Sequence, residues 1–135
     1  MHLFSPLTLR DVTIRNRIAV SPMCQYSAED GKASDWHLVH YGSRAAGGAG
    51  LVIVEATGVE ARGRISPWCL GLWEDSQIEP LARVTRFMKE HGAATAVQLA
   101  HAGRKASTGR PWKGENVLDE AQGGWRPLVA PSAVA

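Results

Sequence analysis

The sequence of 135 residues lacks any apolar run close to the ~18 residues that a membrane-spanning helix needs. It also lacks an N-terminal basic segment followed by a long apolar stretch, so we expect no secretory signal. The sequence also has little excess of positive over negative charge. It contains 15 Lys and Arg residues and 13 Asp and Glu residues, which gives a formal net charge of +2. We therefore expect neither a nucleic acid nor a membrane surface as a partner.

Cysteine is also scarce. Cys24 and Cys69 are the only two, they lie far apart in the sequence, and no Cys-x-x-Cys pair is present. This usage argues against a disulfide-stapled secreted domain and favours two reduced thiols in a cytoplasmic protein. The remaining composition, 44% hydrophobic and 21% charged, is that of an ordinary globular domain, and the length corresponds to one domain.

Apolar runs that recur between polar segments predict the strands. Residues 17–21, 51–56 and 95–100 are short and rich in β-branched or small apolar side chains, which is typical of buried strands. Upstream, alternating apolar residues over 7–14, interrupted by Arg10-Asp11, predict a small hairpin. The segments between the three main strands are long enough to hold a helix each.

Two helices are predicted between these strands. The first begins at Ser34-Asp35, where either residue can cap free backbone N–H groups, and stops at Gly47-Gly48. The second covers roughly residues 76–91 and opens with capping-box spacing between Ser76 and Glu79. The apolar pattern consists of Trp36, Val39 and Tyr41 in the first helix and of Ile78, Leu81, Ala82, Thr85 and Met88 in the second.

The alternation of strand and helix predicts an α/β fold with a parallel sheet, because each crossover helix covers one face of the sheet. Two closures are open at this point, a doubly wound sheet and a (β/α)₈ TIM barrel. A barrel needs eight strand–helix units and ~250 residues, whereas this sequence supplies about three units. If the sheet belongs to a barrel, residues 1–135 are the N-terminal portion of a single barrel domain.

Three motifs suggest functions that their context does not support. Gly47-Gly48-Ala49-Gly50 has neither the spacing nor the strand-before-helix order of a dinucleotide-binding loop, so we interpret it as a helix stop. His37 and His40 have no cysteine or carboxylate at a supporting spacing, so packing is favoured over a metal site. Cys24 with His101 as nucleophile and base is a weak hypothesis, because nothing in the sequence orients the pair.

Residues that can carry chemistry follow or end each predicted strand on its C-terminal side. They are Ser21-Pro22-Met23-Cys24, Ala56-Thr57-Gly58 and Gln98-Leu99-Ala100-His101. Ligands of α/β proteins bind at this edge, whichever way the sheet closes. A thiol, a carboxamide and an imidazole suit a planar, mostly neutral ring, and Gln98 can donate and accept hydrogen bonds at once. The alternative is that Gln98 only satisfies a neighbouring loop.

Five ordered motifs run in register over essentially the whole sequence. They are Arg17-x-Ala19-x-Ser21-Pro22-Met23-Cys24-Gln25-Tyr26, Trp36-His37-x-x-His40-Tyr41, Val54-Glu55-Ala56-Thr57, Gly63-Arg64-Ile65 and Gln98-Leu99-Ala100-His101-Ala102-Gly103-Arg104-Lys105. Together they resemble the Old Yellow Enzyme family. The cysteine of Ser-Pro-Met-Cys, with a tyrosine two residues later, makes the sequence similar to the bacterial xenobiotic-reductase-like, thermophilic-like branch of that family.

The resemblance implies an FMN-containing (β/α)₈ barrel that takes hydride from NAD(P)H and passes it to the β-carbon of an alkene conjugated to a carbonyl or nitro group. It implies a substrate pocket lined by Tyr26, with Lys105 or Arg104 reaching it, and a Cys24 thiol that tunes the potential of the flavin. The residues implied to contact the flavin are Ser21, Pro22, Met23, Cys24, Ala56 and Gln98.

The resemblance assigns no catalytic residue, because the family's proton donor and phosphate-binding loops come from later strands. The proton donor is therefore expected beyond Ala135. A partial barrel has an open strand edge, so we expect the chain to need the remaining strands or another copy of itself, as a homo-oligomer. The alternative function is a non-catalytic partial barrel that binds no flavin and only self-associates.

Overall fold

The computed structural model describes residues 2–114 and 116–132. A short antiparallel ribbon precedes a parallel sheet, and two α-helices cover one face of that sheet. The alternation of strands and helices predicted an α/β fold with a parallel sheet, and that prediction is confirmed. Within residues 2–114 and 116–132, no helix combines the length and the apolar content that a membrane span requires.

The antiparallel ribbon consists of β1 (Leu7–Leu9) and β2 (Val12–Ile14). It lies where the alternating apolar residues predicted a hairpin. Asn16 follows β2 and donates through Nδ2 to the carbonyl oxygen of Gly48 at 2.7 Å. This bond attaches the ribbon to the loop that leads into the central strand of the sheet.

Three parallel strands form the sheet, β3 (Ala19–Val20), β4 (Leu51–Gly58) and β5 (Ala94–Ala100), in the order β3-β4-β5. Leu51 pairs with Ala19 on one side and with Ala94 on the other, so the strands start level. Because the strand order equals the chain order, both crossover helices lie on the same face. The C-terminal ends of the strands therefore lie together at one edge.

The first helix, α1 (Asp35–Ala46), begins after Ser34, as the sequence predicted. Its buried face differs from the expected apolar pattern, since the side chains of Trp36 and Val39 are exposed. Histidine and tyrosine rings are buried in their place, because the buried carboxyl of Glu55 in β4 lies beneath this helix. The buried residues of α1 are His37, His40, Tyr41, Gly42 and Ala45.

The second helix, α2 (Ile78–Glu90), begins two residues later than predicted, after a 3₁₀ turn. The reciprocal capping pair is Glu74 with Gln77, so the predicted pair of Ser76 with Glu79 is wrong. Gln77 is buried, and its carboxamide bonds both the capping segment and a neighbouring loop. The exposed Glu79 is not placed to do the same.

The hydrophobic core lies between the two helices and the sheet. The stripe of α2 that enters it consists of Leu81, Val84 and Met88, which pack in one cluster with the valines of β4. Ile78 is 54% exposed at the start of the helix, so its place in the predicted stripe is wrong. Ile78 is the first residue of the helix, and its side chain lies outside the core cluster.

The strand β5 forms one edge of the sheet and carries exposed side chains, among which Leu99 is 62% exposed. No α-helix follows β5 within residues 2–114 and 116–132. The chain forms 3₁₀ turns instead, at Gly103–Lys105, Pro111–Lys113 and Glu120–Gln122. Of the about three strand–helix units predicted, the described residues thus contain two complete units and the strand of a third.

Met88→Ala tests the position of the core. Met88 is 0% exposed, and we expect its truncation to lower the free energy of unfolding by about 2–5 kcal/mol. Ile78→Ala in the same helix is the matched control and should change it by about 0.5 kcal/mol or less. Urea unfolding followed by circular dichroism measures both values, and equal losses would contradict this packing.

Candidate functional site

The C-terminal edge of the parallel sheet gathers the residues that the sequence singled out. β3 ends at Val20 and leads into residues 21–26, β4 ends at Gly58, and β5 ends at Ala100. Ligand sites of α/β folds lie at this edge. Among the predicted flavin contacts, Ser21, Met23 and Gln98 are exposed, whereas Pro22, Cys24 and Ala56 are partly buried.

A β-bulge interrupts the pairing of β4 with β5 near this edge. The pairs on either side of it leave two residues of β4, Glu55 and Ala56, opposite the single residue Gln98 of β5. A bulge redirects side chains and is common beside active sites. Here it brings two predicted flavin contacts, Ala56 and Gln98, next to each other and turns Glu55 towards the helices.

The carboxamide of Gln98 is exposed and makes no hydrogen bond with residues 2–114 or 116–132. The sequence left open that Gln98 only satisfies a neighbouring loop, and no described loop uses it in that way. A carboxamide offers both a donor and an acceptor. Its position therefore suits a ligand that presents both kinds of group along one edge.

A buried carboxyl lies behind the bulge. Glu55 is fully buried, and its Oε2 accepts a hydrogen bond from Tyr41 Oη at 2.7 Å, while the Glu55 N–H donates to that same Tyr41 oxygen at 2.9 Å. Its Oε1 accepts the backbone N–H of Gln25 at 3.1 Å. One side chain thus links β4 to α1 and to the segment that follows β3.

Burial controls the charge of this cluster. It raises the pKa of Glu55 to about 7 against the opposing effect of its hydrogen bonds, and it also raises the pKa of Tyr41. It lowers the pKa of His37 to about 4. Because His37 Nδ1 accepts the N–H of Ser34 at 2.9 Å, the neutral ring carries its proton on Nε2, 3.9 Å from Glu55 Oε2. Near neutral pH the imidazole is therefore uncharged beside a half-titrated carboxyl.

His37 and His40 lie in the buried face of α1. The ring of His40 packs edge-on against Tyr41, with centroids 4.9 Å apart. Over residues 2–114 and 116–132, no group of three or more His, Cys, Asp or Glu side chains is placed to hold a metal ion. The described contacts of the two imidazoles are those of packing and helix capping.

The two cysteines, distant in the sequence, lie side by side in the fold. The thiol of Cys24 lies close enough to the sulfur of Cys69 for the two to interact electrostatically, and Glu55 lies near both. Their interaction raises the pKa of Cys24 and lowers the pKa of Cys69 to about 6. Both are free thiols, and nothing in the sequence indicated that they would meet.

His101 is held by the loop that follows β4. Its Nδ1 accepts the N–H of Gly103 at 3.1 Å, so the neutral ring carries its proton on Nε2 and donates to Glu60 Oε2 at 3.2 Å. Gly63 allows this position, since an added Cβ would lie 2.5 Å from His101 Cδ2. These contacts do not involve Cys24, so the structure gives no support to a Cys24–His101 nucleophile and base.

The predicted substrate-binding residues Tyr26 and Lys105 line one cavity of about 480 Å³, together with Arg104. Tyr26 has a φ of 51°, a left-handed conformation that costs a non-glycine residue roughly 1–3 kcal/mol and is typical of functional sites. Its ring packs edge-on against Trp112, with centroids 5.6 Å apart. None of the predicted flavin contacts lines this cavity, so the predicted flavin contacts and the predicted substrate-binding residues do not share one cavity.

Sequence reasoning missed the roles of Glu55, Tyr41, Glu60 and Cys69 at this edge. For Glu55 a signal was present, because a carboxylate that ends a continuous apolar strand is costly to bury and needs partners. The other three residues lie in ordinary helix or loop sequence. Their contacts arise only when the crossover brings distant segments together.

Comparison with known proteins relates the chain to flavin oxidoreductases. The sequence model of the NADH:flavin oxidoreductase / NADH oxidase family matches residues 2–123. An NADH:flavin oxidoreductase of Gibberella zeae is 51% identical over 135 residues, which cover 98% of this chain and 33% of that protein. The chain thus spans about a third of the length of this relative.

Solved structures share the fold. Morphinone reductase superposes with a TM-score of 0.72 at 32% identity, over 77% of this chain and 27% of that one. An Old Yellow Enzyme homologue from Zymomonas mobilis superposes with a TM-score of 0.72 at 33% identity, over 77% of this chain and 29% of that one. The matched part of each is again about a third or less of its length.

Glu55→Gln tests the buried carboxyl. Because burial holds the pKa of Glu55 above its unfolded value, the wild-type carboxyl costs stability progressively as the pH rises from about 4.5 to about 7. Glutamine does not ionise, so the stability of the variant relative to wild type should rise over this interval by up to about 3 kcal/mol and then stay level. Urea unfolding at a series of pH values measures the difference.

Tyr41→Phe is the matched control, because it removes a partner of the carboxyl and leaves the carboxyl itself. The pH dependence of the wild type should persist in Tyr41→Phe and be lost from Glu55→Gln. A stability difference between Glu55→Gln and wild type that does not vary with pH would contradict the buried, raised-pKa carboxyl.

Proposed function

This chain belongs to the NADH:flavin oxidoreductase / NADH oxidase family, and we propose that it supplies the N-terminal strands of an FMN-dependent (β/α)₈ barrel that acts as an ene-reductase. When bound, FMN supplies hydride transfer, from NADH or NADPH to the β-carbon of an activated alkene such as an α,β-unsaturated carbonyl compound. The chain's own residues would bind and orient the flavin ring and one wall of the substrate pocket. A cytoplasmic location is part of the proposal.

The polar groups at the sheet edge suit a flavin ring. The Gln98 carboxamide, which bonds to none of the described residues, would pair with a ring carbonyl and N–H, and the small side chain of Ala56 lies across from it. Ser21 and Met23 are exposed on the segment after β3, with Pro22 between them. The thiol of Cys24 lies on the same segment, where a weak hydrogen bond to the ring would adjust its potential.

The adjoining cavity fits a small activated alkene. Tyr26 and Lys105, with Arg104 beside them, give it an aromatic wall and two cations. These groups would attract the electron-rich carbonyl or nitro oxygen of the substrate and leave the alkene next to the flavin site. We propose that these residues bind and orient the substrate, and that the later barrel strands supply the proton donor.

The proposal requires the later barrel strands or another copy of the chain. The edge strand β5 exposes Val97 and Leu99, and unpaired strand edges bind further strands. The same observation favours the second candidate function, a partial barrel that self-associates and binds no flavin. The colour of the purified protein distinguishes them, since only the first predicts a flavin absorption band.

The Gln98 carboxamide lies opposite the bulge and has no hydrogen-bond partner within residues 2–114 and 116–132, which is the strongest support for a flavin ring at this place. The matching third of the Gibberella zeae relative can be replaced by this chain. We expect the chimera to purify with bound FMN and to reduce 2-cyclohexenone with NADH or NADPH. A folded, colourless chimera would contradict the proposal and favour the non-catalytic alternative.

Gln98→Leu in this chimera removes one or two hydrogen bonds to the ring and leaves buried ring atoms unpaired. The FMN affinity should fall by about 1–3 kcal/mol. Gln122→Leu, an exposed residue of a distant 3₁₀ turn, is the matched control and should leave the affinity unchanged. Flavin fluorescence during reconstitution measures the FMN affinity of both variants. An unchanged affinity in Gln98→Leu would contradict the assignment of Gln98 as a flavin contact.

The isolated chain should neither hold FMN at micromolar concentration nor reduce an activated alkene. Its ring contacts would stay open to water, and solvent competition weakens such hydrogen bonds. Titration of FMN into the isolated chain, followed by flavin fluorescence and light scattering, is the measurement. Saturable quenching in the low micromolar range from a monomer would show that the later strands are not required.

A further inference from the structure

A second cavity lies between the loop that follows β4 and the 3₁₀ turns that follow β5. Its volume is about 340 Å³. None of the predicted flavin contacts lines it, and Gly109 is the one lining residue that it shares with the cavity of Tyr26 and Lys105. The side chains that line this second cavity are Trp68, Arg110, Lys113, Asn116, Leu118 and Gln122.

An aromatic ring holds the guanidinium of Arg110 in this cavity. The guanidinium carbon lies 4.2 Å from the centre of the Trp68 ring. The backbone beneath the stack is fixed as well, because the carbonyl oxygen of Trp68 accepts the N–H of Ala28 at 3.0 Å. A guanidinium that is stacked on a ring keeps its in-plane N–H groups for oxygen acceptors, and these groups pair with the oxygens of carboxylates and phosphates.

Arg110 has no acceptor among the described residues. Its Nε is buried and makes no hydrogen bond with residues 2–114 or 116–132. No carboxylate of these residues forms an ion pair with its guanidinium either. Buried polar groups nearly always have a partner, and each exception calls for an explanation. The unpaired guanidinium therefore indicates a site for an acceptor from outside the chain.

Three further donor side chains line the same cavity. The side chains of Lys113 and Asn116 bond to none of the described residues. Gln122 Oε1 accepts the N–H of Asp119 at 3.2 Å, so the amide nitrogen is the group that remains for a ligand. No Asp or Glu among residues 2–114 and 116–132 lines this cavity. Glu29 and Asp30 line a different cavity, which Trp68 and Arg110 also border.

This set of donors suits a phosphate group. Four donor side chains offer more hydrogen bonds than the two oxygens of a carboxylate accept, whereas a phosphate monoester presents three terminal oxygens. The charges of Arg110 and Lys113 balance its charge of about −2 near neutral pH. The cavity is larger than a phosphate group alone requires, and Leu118 gives it an apolar surface for the organic part of an ester.

We propose that this cavity binds a phosphate group, free or as a small phosphate monoester, through Arg110 and Lys113. The guanidinium would pair with two phosphate oxygens, and the ammonium group and the amides would donate to the remaining lone pairs. The site does not include the predicted flavin contacts, so the proposal stands independently of the proposed function.

Isothermal titration calorimetry of the chain with phenyl phosphate, inorganic phosphate and benzoate tests the proposal. Low ionic strength is used, since salt screens exposed charges. We expect phenyl phosphate to bind with a Kd below about 1 mM, at least an order of magnitude tighter than benzoate. Tighter binding of phenyl phosphate than of inorganic phosphate supports an ester as the ligand, and equal binding supports the free ion. Benzoate that binds as tightly as phenyl phosphate, or no saturable heat with either phosphate, would overturn the proposal.

Variants show whether the cavity binds the phosphate. Arg110→Gln and Lys113→Gln should each weaken the binding of phenyl phosphate by at least an order of magnitude. Arg110→Lys should also bind more weakly than wild type, because it keeps the charge and loses the planar fork. Lys89→Gln is the matched control, since it removes an exposed charge of α2 outside the cavity, and it should change the affinity by about twofold or less.

Circular dichroism checks that each variant is folded. Lys113 is exposed, so Lys113→Gln tests the site even if the loss of the stack on Trp68 unfolds Arg110→Gln. Unchanged affinity in a folded Lys113→Gln, or an equal loss in Lys89→Gln, would show that phosphate follows the net charge of the chain and would overturn the proposal.

Discussion

The hydrogen bonds of the Glu55 carboxyl join three parts of the chain that are distant in sequence. It accepts from Tyr41 of α1 and from the backbone of Gln25, while its own strand is the centre of the sheet. A buried carboxyl is tolerated only when its oxygens have partners. The fold therefore places polar rings on the inner face of α1 and draws the segment after β3 against the end of β4.

This constraint shapes the candidate site. The bulge that turns Glu55 towards the helices also sets Ala56 opposite Gln98, and the fixed segment carries Cys24 to Cys69 on one side and Tyr26 to its cavity on the other. The residues predicted to contact the flavin, the two cysteines and the residues predicted to contact the substrate are thus positioned around one buried group. Residues positioned by a packed second layer are the ones that can keep a ring-sized ligand in a fixed orientation.

Local patterns predicted what depends on local physics. The apolar runs predicted β4 and β5, and Ser34 predicted the start of α1, because strand burial and helix capping are determined by a few neighbouring residues. The start of α2 was misplaced, since its capping pair is stabilised by a loop far away in sequence. The contacts of Cys69 were not predictable for the same reason, as they exist only after the crossover has formed.

We propose that the sheet edge arranged by Glu55 receives a flavin ring against Gln98 and Ala56. A crystal structure of the FMN-loaded chimera with the Gibberella zeae relative would show where the ring binds. We expect the ring over the bulge, with the Gln98 carboxamide hydrogen-bonded to its pyrimidine edge and Glu55 still bonded to Tyr41. Density for the ring elsewhere, with Gln98 facing solvent, would contradict it.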